Sequence, residues 1–407
     1  MSSATTFFEY LMPTRIIHGL GSLSRLGPEM RSLGAARVLI ATDAGVRAAG
    51  LADRAAASLT EAGLGVVIFD EIGHDAAVSV IDKGGQIARA KRCDGVVAMG
   101  GGSALSGGRA VAIMATNPGS IADYEGGGKV RVAPLPVIAV PTTAGSGSEV
   151  SQAMPMKHDG QQRKMSVQTP LSYAKVAILD AMLLATVPYR QAIYSGADAL
   201  THAMEAYMTR LATPITDALA LSAVKMIAGN LRQAVVGEDL KAKEQTLIGS
   251  TMANIACGNA KLGLAHLLTR PINTMFPAVP YGRCIGTLLV PTMAFTVAAF
   301  PERAAALAEA LGENTCGMSV AAAAERMMPA LKRLLADINF PRTFSPDDFG
   351  LEAIPSLARM AAAGLHGVMA DDLSLTDDTP LKTFNLRPAT VGDAKRLYEE
   401  ACAGWDI

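Results

Sequence analysis

The sequence is poor in charged side chains, and neither sign of charge dominates. Only 18% of its 407 residues are charged, the formal net charge is −1, and half of the residues are hydrophobic. A chain of this length and apolar content can bury large cores and is not of the disordered class. The charge balance gives no electrostatic basis for binding nucleic acid or an anionic membrane surface, so neither is expected as a partner.

The sequence also lacks paired cysteines and recognisable targeting segments. Its five cysteines are odd in number and scattered, which is typical of reduced thiols in the cytoplasm. The first residues contain no basic region followed by an uninterrupted apolar stretch, so no secretory signal is predicted. The longest apolar run, residues 285–300, contains Pro291 and lacks interfacial anchors, and we interpret it as a buried helix. We therefore expect a cytoplasmic protein.

The two halves of the chain differ in the period of their apolar residues. Four β-branched runs in the first half are predicted as strands: residues 37–43, 65–70, 95–99 and 135–140. Continuous apolar strands separated by helices indicate a parallel sheet covered on both faces. From about residue 191 to residue 339 nearly every stretch has helical period. We predict an α/β nucleotide-binding domain at residues 1–189 and a helical domain at residues 190–407, with a cleft between them.

Two loops rich in glycine, serine and threonine follow strands of the predicted sheet. One ends the third strand and opens a helix, and it consists of Gly100, Gly101, Gly102 and Ser103. The other, PTTAGSGSE at residues 141–149, follows the fourth strand. Glycine lets the backbone approach a phosphate, and a helix N-terminus offers free N–H groups. The spacing departs from the dinucleotide-binding fingerprint and also suits a tight turn, but two such loops at one sheet edge favour a phosphate-bearing ligand.

Asp43 ends the first of these strands. A carboxylate at that place can accept a hydrogen bond from a ribose 2′-hydroxyl and would repel a 2′-phosphate, which favours NAD over NADP. The structural alternative for Asp43 is a helix cap.

One carboxylate and two histidines in the helical half have the pattern of a metal site. Asp198 and His202 are four residues apart, which places them on one face of a helix, and His266 follows in GLAH. Three such ligands can hold a divalent ion and leave a position open for a substrate oxygen. Taken singly, each histidine is more typical of a packed core or surface residue.

The motifs together resemble those of the iron-containing (group III) alcohol dehydrogenases. The resemblance rests on GGGS at 100–103, PTTAGSGSE at 141–149, GADALTHAMEAY at 196–207 and GLAH at 263–266, which occur in this order. It implies an NAD(P)-binding α/β domain, a helical domain that holds iron or zinc, and commonly a homodimer. By position, Thr142, Thr143 and Lys164 resemble contacts to adenosine and ribose. Asp198, His202 and His266 match three of the family's four metal ligands.

The chain departs from the family's pattern at positions that bear on chemistry. Ser106 and Arg109 replace an Asp and a Lys of the glycine loop, and Arg270 replaces a histidine that often contacts substrate or relays protons. Tyr281 stands where the fourth ligand histidine is expected. It would either bind the metal as a phenolate or, if the metal is weak or absent, donate a proton as a general acid. A packed loop tyrosine is the structural alternative.

We therefore predict an NAD-dependent alcohol dehydrogenase or carbonyl reductase that acts on a small molecule. Arg270 predicts an acidic substrate, because a guanidinium binds carboxylate, sulfonate or phosphonate through two parallel hydrogen bonds. An internal ion pair is the alternative for Arg270, and Lys261 would add a weaker positive charge. Three other functions stay open: a metal-independent reductase similar to maleylacetate reductase, a lyase of the dehydroquinate-synthase type, and a non-catalytic cofactor-binding descendant.

Overall fold

A computed structural model describes residues 7–161, 163–237, 239–363 and 375–406 of the chain. All strands found in these residues lie in the first half of the sequence. They are β1 (Arg15–His18), β2 (Arg37–Ala41), β3 (Gly65–Phe69), β4 (Gly95–Gly100), β5 (Gly126–Gly127), β6 (Val137–Pro141), β7 (Ala153–His158), β8 (Arg163–Gln168) and β9 (Val176–Leu179).

Six of the strands form one parallel sheet in the order β1-β9-β6-β4-β2-β3. The four predicted strands correspond to β2, β3, β4 and β6 and occupy its centre and one edge. The chain passes from β2 outward to β3 and then returns to β4 on the other side of β2. The direction in which successive strands are added to the sheet therefore reverses between β2 and β4. In open parallel sheets, ligands bind at such a point, beyond the carboxyl ends of the strands.

The remaining strands form a small sheet in the order β5-β8-β7, in which β7 and β8 are antiparallel. This sheet was not predicted, and it carries Lys164. The helices of the first half cover the faces of the large sheet, which confirms the predicted α/β architecture. They are α1 (Leu26–Ser32), α2 (Ala44–Ala48), α3 (Leu51–Glu61), α4 (Val78–Ala90) and α5 (Gly102–Thr116).

The second half of the chain is helical, as predicted. Its helices are α6 (Tyr189–Tyr207), α7 (Pro214–Val236), α8 (Leu240–Ala260), α9 (Leu264–Met275), α10 (Tyr281–Val297), α11 (Pro301–Ala310), α12 (Val320–Glu325), α13 (Met327–Asp337), α14 (Ile354–Ala363) and α15 (Val391–Ala403). Helix α10 contains most of the predicted buried helix and encloses Pro291. The division of the chain into two domains at residue 189 stays a prediction. No helix in the described part of the chain combines the length and apolarity that a membrane span requires.

Helix α8 packs against the loop that follows β6. Ser250 donates from Oγ to the Gly145 carbonyl at 3.0 Å, and Asn254 donates from Nδ2 to the Ser146 carbonyl at 2.6 Å. A Cβ at Gly147, whose φ is 58°, would lie 2.1 Å from the Asn254 Cβ, so this close approach requires glycine. The helical half is thereby held at the carboxyl ends of the strands.

Candidate active site

The strand ends bring the predicted cofactor residues together at the switch point. A Cβ at Gly100 would lie 3.1 Å from Asp43 Oδ2, and the Thr142 N–H donates to the Gly100 carbonyl at 3.0 Å. Gly100 has a φ of 141°, which a side chain would disfavour. A Cβ at Gly102, where α5 begins, would lie 2.9 Å from the Ser146 Cβ. The two glycine-rich loops thus approach each other closely enough for backbone alone to line the crevice.

Asp43 caps helix α2 through one of its two carboxylate oxygens. Its Oδ1 accepts a hydrogen bond from the Val46 N–H at 2.9 Å and caps α2. Its other oxygen faces Gly100 of the glycine loop. Capping therefore occupies one carboxylate oxygen and leaves the second directed at the crevice.

Lys164 and Ser103 both contact Asp75, a residue that sequence reasoning missed. Lys164 forms an ion pair with the Asp75 carboxylate, and the Asp75 N–H donates to Ser103 Oγ at 3.1 Å. Burial would raise the pKa of Asp75, but its hydrogen bond with His74 and the charge of Lys164 lower that pKa to about 2. Asp75 thus stays ionised and holds Lys164 beside the glycine loop. No motif around Asp75 signals this role.

The replaced residues of the glycine loop are buried. Ser106 and Arg109 are both 0% exposed. The Arg109 guanidinium donates to the carbonyl of Ser151 and, at 2.8 Å, to that of Ala153. Burial lowers the pKa of Arg109 to about 10, against the charge of Glu149. Arg109 therefore ties α5 to the start of β7.

Asp198, His202 and His266 converge in the interior of the helical half. Helix α6 carries the first two one turn apart, and α9 carries the third. One potential ligand atom from each lies within 4.8 Å of the others, and His266 Nε2 is 3.6 Å from Asp198 Oδ1. The ring centroids of the two histidines are 4.5 Å apart.

The polar atoms of this group fit a divalent cation. Asp198 Oδ1, His202 Nδ1 and His266 Nε2 are buried and have no hydrogen-bond partner among the described residues. A buried polar atom without a partner costs about 1–3 kcal/mol, so three of them directed at one place favour a bound ion. One carboxylate and two imidazoles are ligands that zinc and iron accept.

Glu205 positions His266, and the sequence analysis did not identify it. Its carboxylate is fully buried and accepts from the Gly263 N–H at 3.0 Å and the Ala265 N–H at 2.6 Å. Its Oε2 also lies 2.7 Å from His266 Nδ1. A carboxylate on one imidazole nitrogen orients the other toward a metal. A signal existed, because Glu205 follows His202 by three residues and shares its helical face.

Charges determine which of these groups carry a proton. Burial lowers the pKa of His266, but Glu205 and Asp198 outweigh it and raise that pKa to about 9. Burial also lowers the pKa of His202, and the charge of Asp198 does not fully compensate. At neutral pH the cation-free site therefore holds a neutral His202 and a protonated His266, and a metal ion must displace the His266 proton.

Tyr281 and Arg270 lie beside this group. Tyr281 begins α10, and its ring centroid is 6.5 Å from that of His266. Burial and the charge of Asp198 raise the pKa of its phenol, while Arg270 opposes them. Arg270 lies one turn after His266 on α9 and is half-buried. It forms no ion pair with any carboxylate of the described residues, so the internal pair considered for Arg270 is not found there.

Comparisons with known proteins assign the family. The family model described as "Iron-containing alcohol dehydrogenase" matches residues 13–181, and "Fe-containing alcohol dehydrogenase family, C-terminal" matches residues 192–372. The chain is 36% identical to the NAD-dependent methanol dehydrogenase of Bacillus methanolicus over 88% of this chain and 93% of that protein. It is 31% identical to the sulfoacetaldehyde reductase of Bilophila wadsworthia over 88% of this chain and 92% of that protein.

The fold agrees with these matches. A crystal structure of a 1,3-propanediol oxidoreductase superposes with a TM-score of 0.90 at 31% identity, over 97% of this chain and all of that one. The fold and the site define an oxidoreductase with an α/β cofactor domain and a helical metal-site region. The chain belongs to the iron-containing alcohol dehydrogenase family. The predicted class of enzyme, an NAD-dependent alcohol dehydrogenase, is confirmed, as are the predicted cofactors, NAD and a divalent metal.

Proposed function

We propose that this enzyme interconverts an alcohol and an aldehyde or ketone that carries an acidic group. The observation that carries the proposal is Arg270, a half-buried cation one turn after His266 without a carboxylate partner in the described residues. A guanidinium that is largely withdrawn from water is usually paired, and an acidic substrate would supply the missing partner. Similarity to a reductase of sulfoacetaldehyde, an aldehyde with a sulfonate, supports this choice. Similarity to a methanol dehydrogenase shows that family membership alone does not decide it.

We assign the remaining site residues as follows. Asp198, His202 and His266 would hold the ion, which as a Lewis acid would polarise the substrate oxygen. NAD would donate or accept the hydride. Asp43 would accept from the ribose 2′-hydroxyl, and the loop residues and Lys164 would bind the phosphates and riboses of the cofactor. The loop residues of this set are Gly100, Gly101, Gly102, Ser103, Thr142 and Thr143.

We propose Tyr281 as the proton donor rather than as a phenolate ligand. Burial and the charge of Asp198 hold its pKa above the ordinary value, so the phenol keeps its proton at neutral pH. Its ring lies beside that of His266. In the reduction direction the phenol O–H would give its proton to the substrate oxygen, and in the oxidation direction the phenolate would take it back.

The test compares aldehydes of similar size with and without an acidic group, using NADH, in the presence and absence of a chelator. In Arg270→Gln we expect the acidic-to-neutral ratio of kcat/KM to fall ten- to hundredfold, because a hydrogen bond to a charged group contributes about 1.5–3 kcal/mol. Arg232→Gln is the control, since Arg232 pairs with Asp337 instead. A wild-type enzyme that turns over neutral aldehydes better than every acidic analogue would contradict the proposal.

We also propose that the enzyme is a homodimer and that it is located in the cytoplasm. The family resemblance supports a dimer, and the exposed aromatic side chains of Phe7, Phe8 and Tyr10 are available for an interface between copies. The scattered cysteines support a reducing compartment.

A further inference from the structure

Lys261 has a backbone conformation that residues other than glycine rarely adopt. It follows the last residue of α8 with φ 70° and ψ −173°. This region is essentially restricted to glycine, and any other residue held there is strained. A glycine would make the same turn without that cost, so the lysine side chain calls for an explanation beyond the turn.

The strained residue connects α8 to α9, the helix that carries His266. Helix α8 packs on the loop after β6 through Asn254, and α9 carries His266 five residues beyond Lys261. The Lys261 N–H donates to the Cys257 carbonyl at 2.7 Å and ends α8. Two residues later the Gly263 N–H meets Glu205. Lys261 therefore stands where the chain turns into the segment that presents His266.

The Lys261 ammonium has no acidic partner among the described residues. It is half-buried, and its Nζ donates to the Gly258 carbonyl at 3.3 Å. None of the ion pairs between described residues includes it. Burial raises the pKa of the neighbouring Cys257 thiol, Asp198 and Glu205 raise it further, and Lys261 opposes them. The charge of Lys261 thus acts on the same side chain as the charges of Asp198 and Glu205.

Arg270, like Lys261, is a half-buried cation close to His266 in the sequence. Lys261 precedes His266 by five residues and Arg270 follows it by four, and both are half-buried. Neither has a carboxylate partner in the described ranges. We propose that Lys261 is a second substrate-binding cation, which together with Arg270 binds the acidic group and favours a doubly over a singly charged one. This inference rests on the proposed function.

The structural alternative is that Lys261 only caps α8. A lysine near a helix C-terminus interacts favourably with the last carbonyls and the helix dipole, and its bond to Gly258 fits that role. The two interpretations differ in what glycine would do. If Lys261 only caps the helix, Lys261→Gly relieves strain and leaves substrate constants unchanged. If it binds substrate, the same variant loses selectivity for anions whatever happens to its stability.

Sulfoacetaldehyde and phosphonoacetaldehyde make the sharpest pair of probes, because they are nearly isosteric and differ in charge. We would measure kcat and KM for both, and for butanal, with NADH at a pH where the phosphonate is fully ionised. The variants are Lys261→Gln, Lys261→Arg and Lys261→Gly, and unfolding temperatures are recorded for each. Lys241→Gln is the matched control, since Lys241 is exposed at the other end of α8.

We expect Lys261→Gln and Lys261→Gly to lower the phosphonate-to-butanal ratio of kcat/KM at least tenfold, mainly through KM, and the sulfonate ratio less. Lys261→Arg should retain the ratio within threefold, and Lys241→Gln should not change it. Ratios that stay within twofold of wild type in Lys261→Gln would overturn the inference. If Arg270→Gln still loses acid selectivity in that case, the proposed function stands. A wild-type preference for butanal over both anions would overturn both proposals.

Discussion

Replacement of Glu205 by glutamine tests the arrangement of the metal site. The carboxylate accepts from two backbone N–H groups and contacts His266 Nδ1. In Glu205→Gln one oxygen becomes an NH2 group, and the less disruptive orientation places it at Oε1, opposite the Ala265 N–H. Two donors then face each other in a fully buried position. An unsatisfied buried donor costs about 1–3 kcal/mol, and we expect the free energy of unfolding to fall by that amount.

The same substitution should weaken metal binding. His266 loses the negative charge that makes its Nε2 more basic, and removal of such a partner typically lowers metal affinity about 10- to 100-fold. Chelator competition with Zn²⁺ or Fe²⁺ measures this change, and chemical denaturation measures the stability. Glu309→Gln, at an exposed position of α11, is the control. If Glu205→Gln binds metal within twofold of wild type and unfolds at the same denaturant concentration, Glu205 does not position His266.

Three further predictions concern protonation and cofactor choice. Because the pKa of His266 is raised to about 9 and a metal binds the neutral imidazole, the apparent metal affinity should rise about tenfold per pH unit below that pKa; a flat profile from about pH 7 to pH 8.5 in chelator competition would refute this. The raised pKa also stabilises the metal-free fold below the ordinary histidine pKa of about 6.5, and this contribution should disappear as the pH rises through about 9. In Asp43→Ser the hydroxyl can still cap α2 but carries no charge, so the NADP-to-NAD ratio of kcat/KM should rise at least about tenfold while stability changes by less than about 0.5 kcal/mol. An unchanged cofactor ratio would limit Asp43 to capping.

The central strands were predictable because each is an uninterrupted apolar run between turn residues. Strands β1 and β9 are only four residues long, and β8 carries two cations in RKMSVQ, so their patterns give little signal. In the site, Asp198 and His202 follow from helical spacing. Asp75 was missed because its partner Ser103 is 28 residues away. The partners of Glu205 are about 60 residues away, and only its spacing from His202 indicated a role in the site. The strain at Lys261 could not be foreseen, because a lysine in a sequence does not specify its φ.

The acidity of the Tyr281 phenol depends on whether a metal is bound beside it. The phenol has a pKa raised first by burial and then by the charge of Asp198. Positive charge placed between Asp198 and His266 opposes the second of these causes, so Tyr281 would release its proton more readily in the metal-loaded enzyme than in the metal-free one. The buried atoms of Asp198, His202 and His266 that lack hydrogen-bond partners favour a bound ion there. This holds even when the phenol of Tyr281 is protonated and does not bind the ion. A tyrosine in place of a ligand histidine is therefore compatible with a retained metal, because the proposed proton donor would then have an acid strength that depends on the ion.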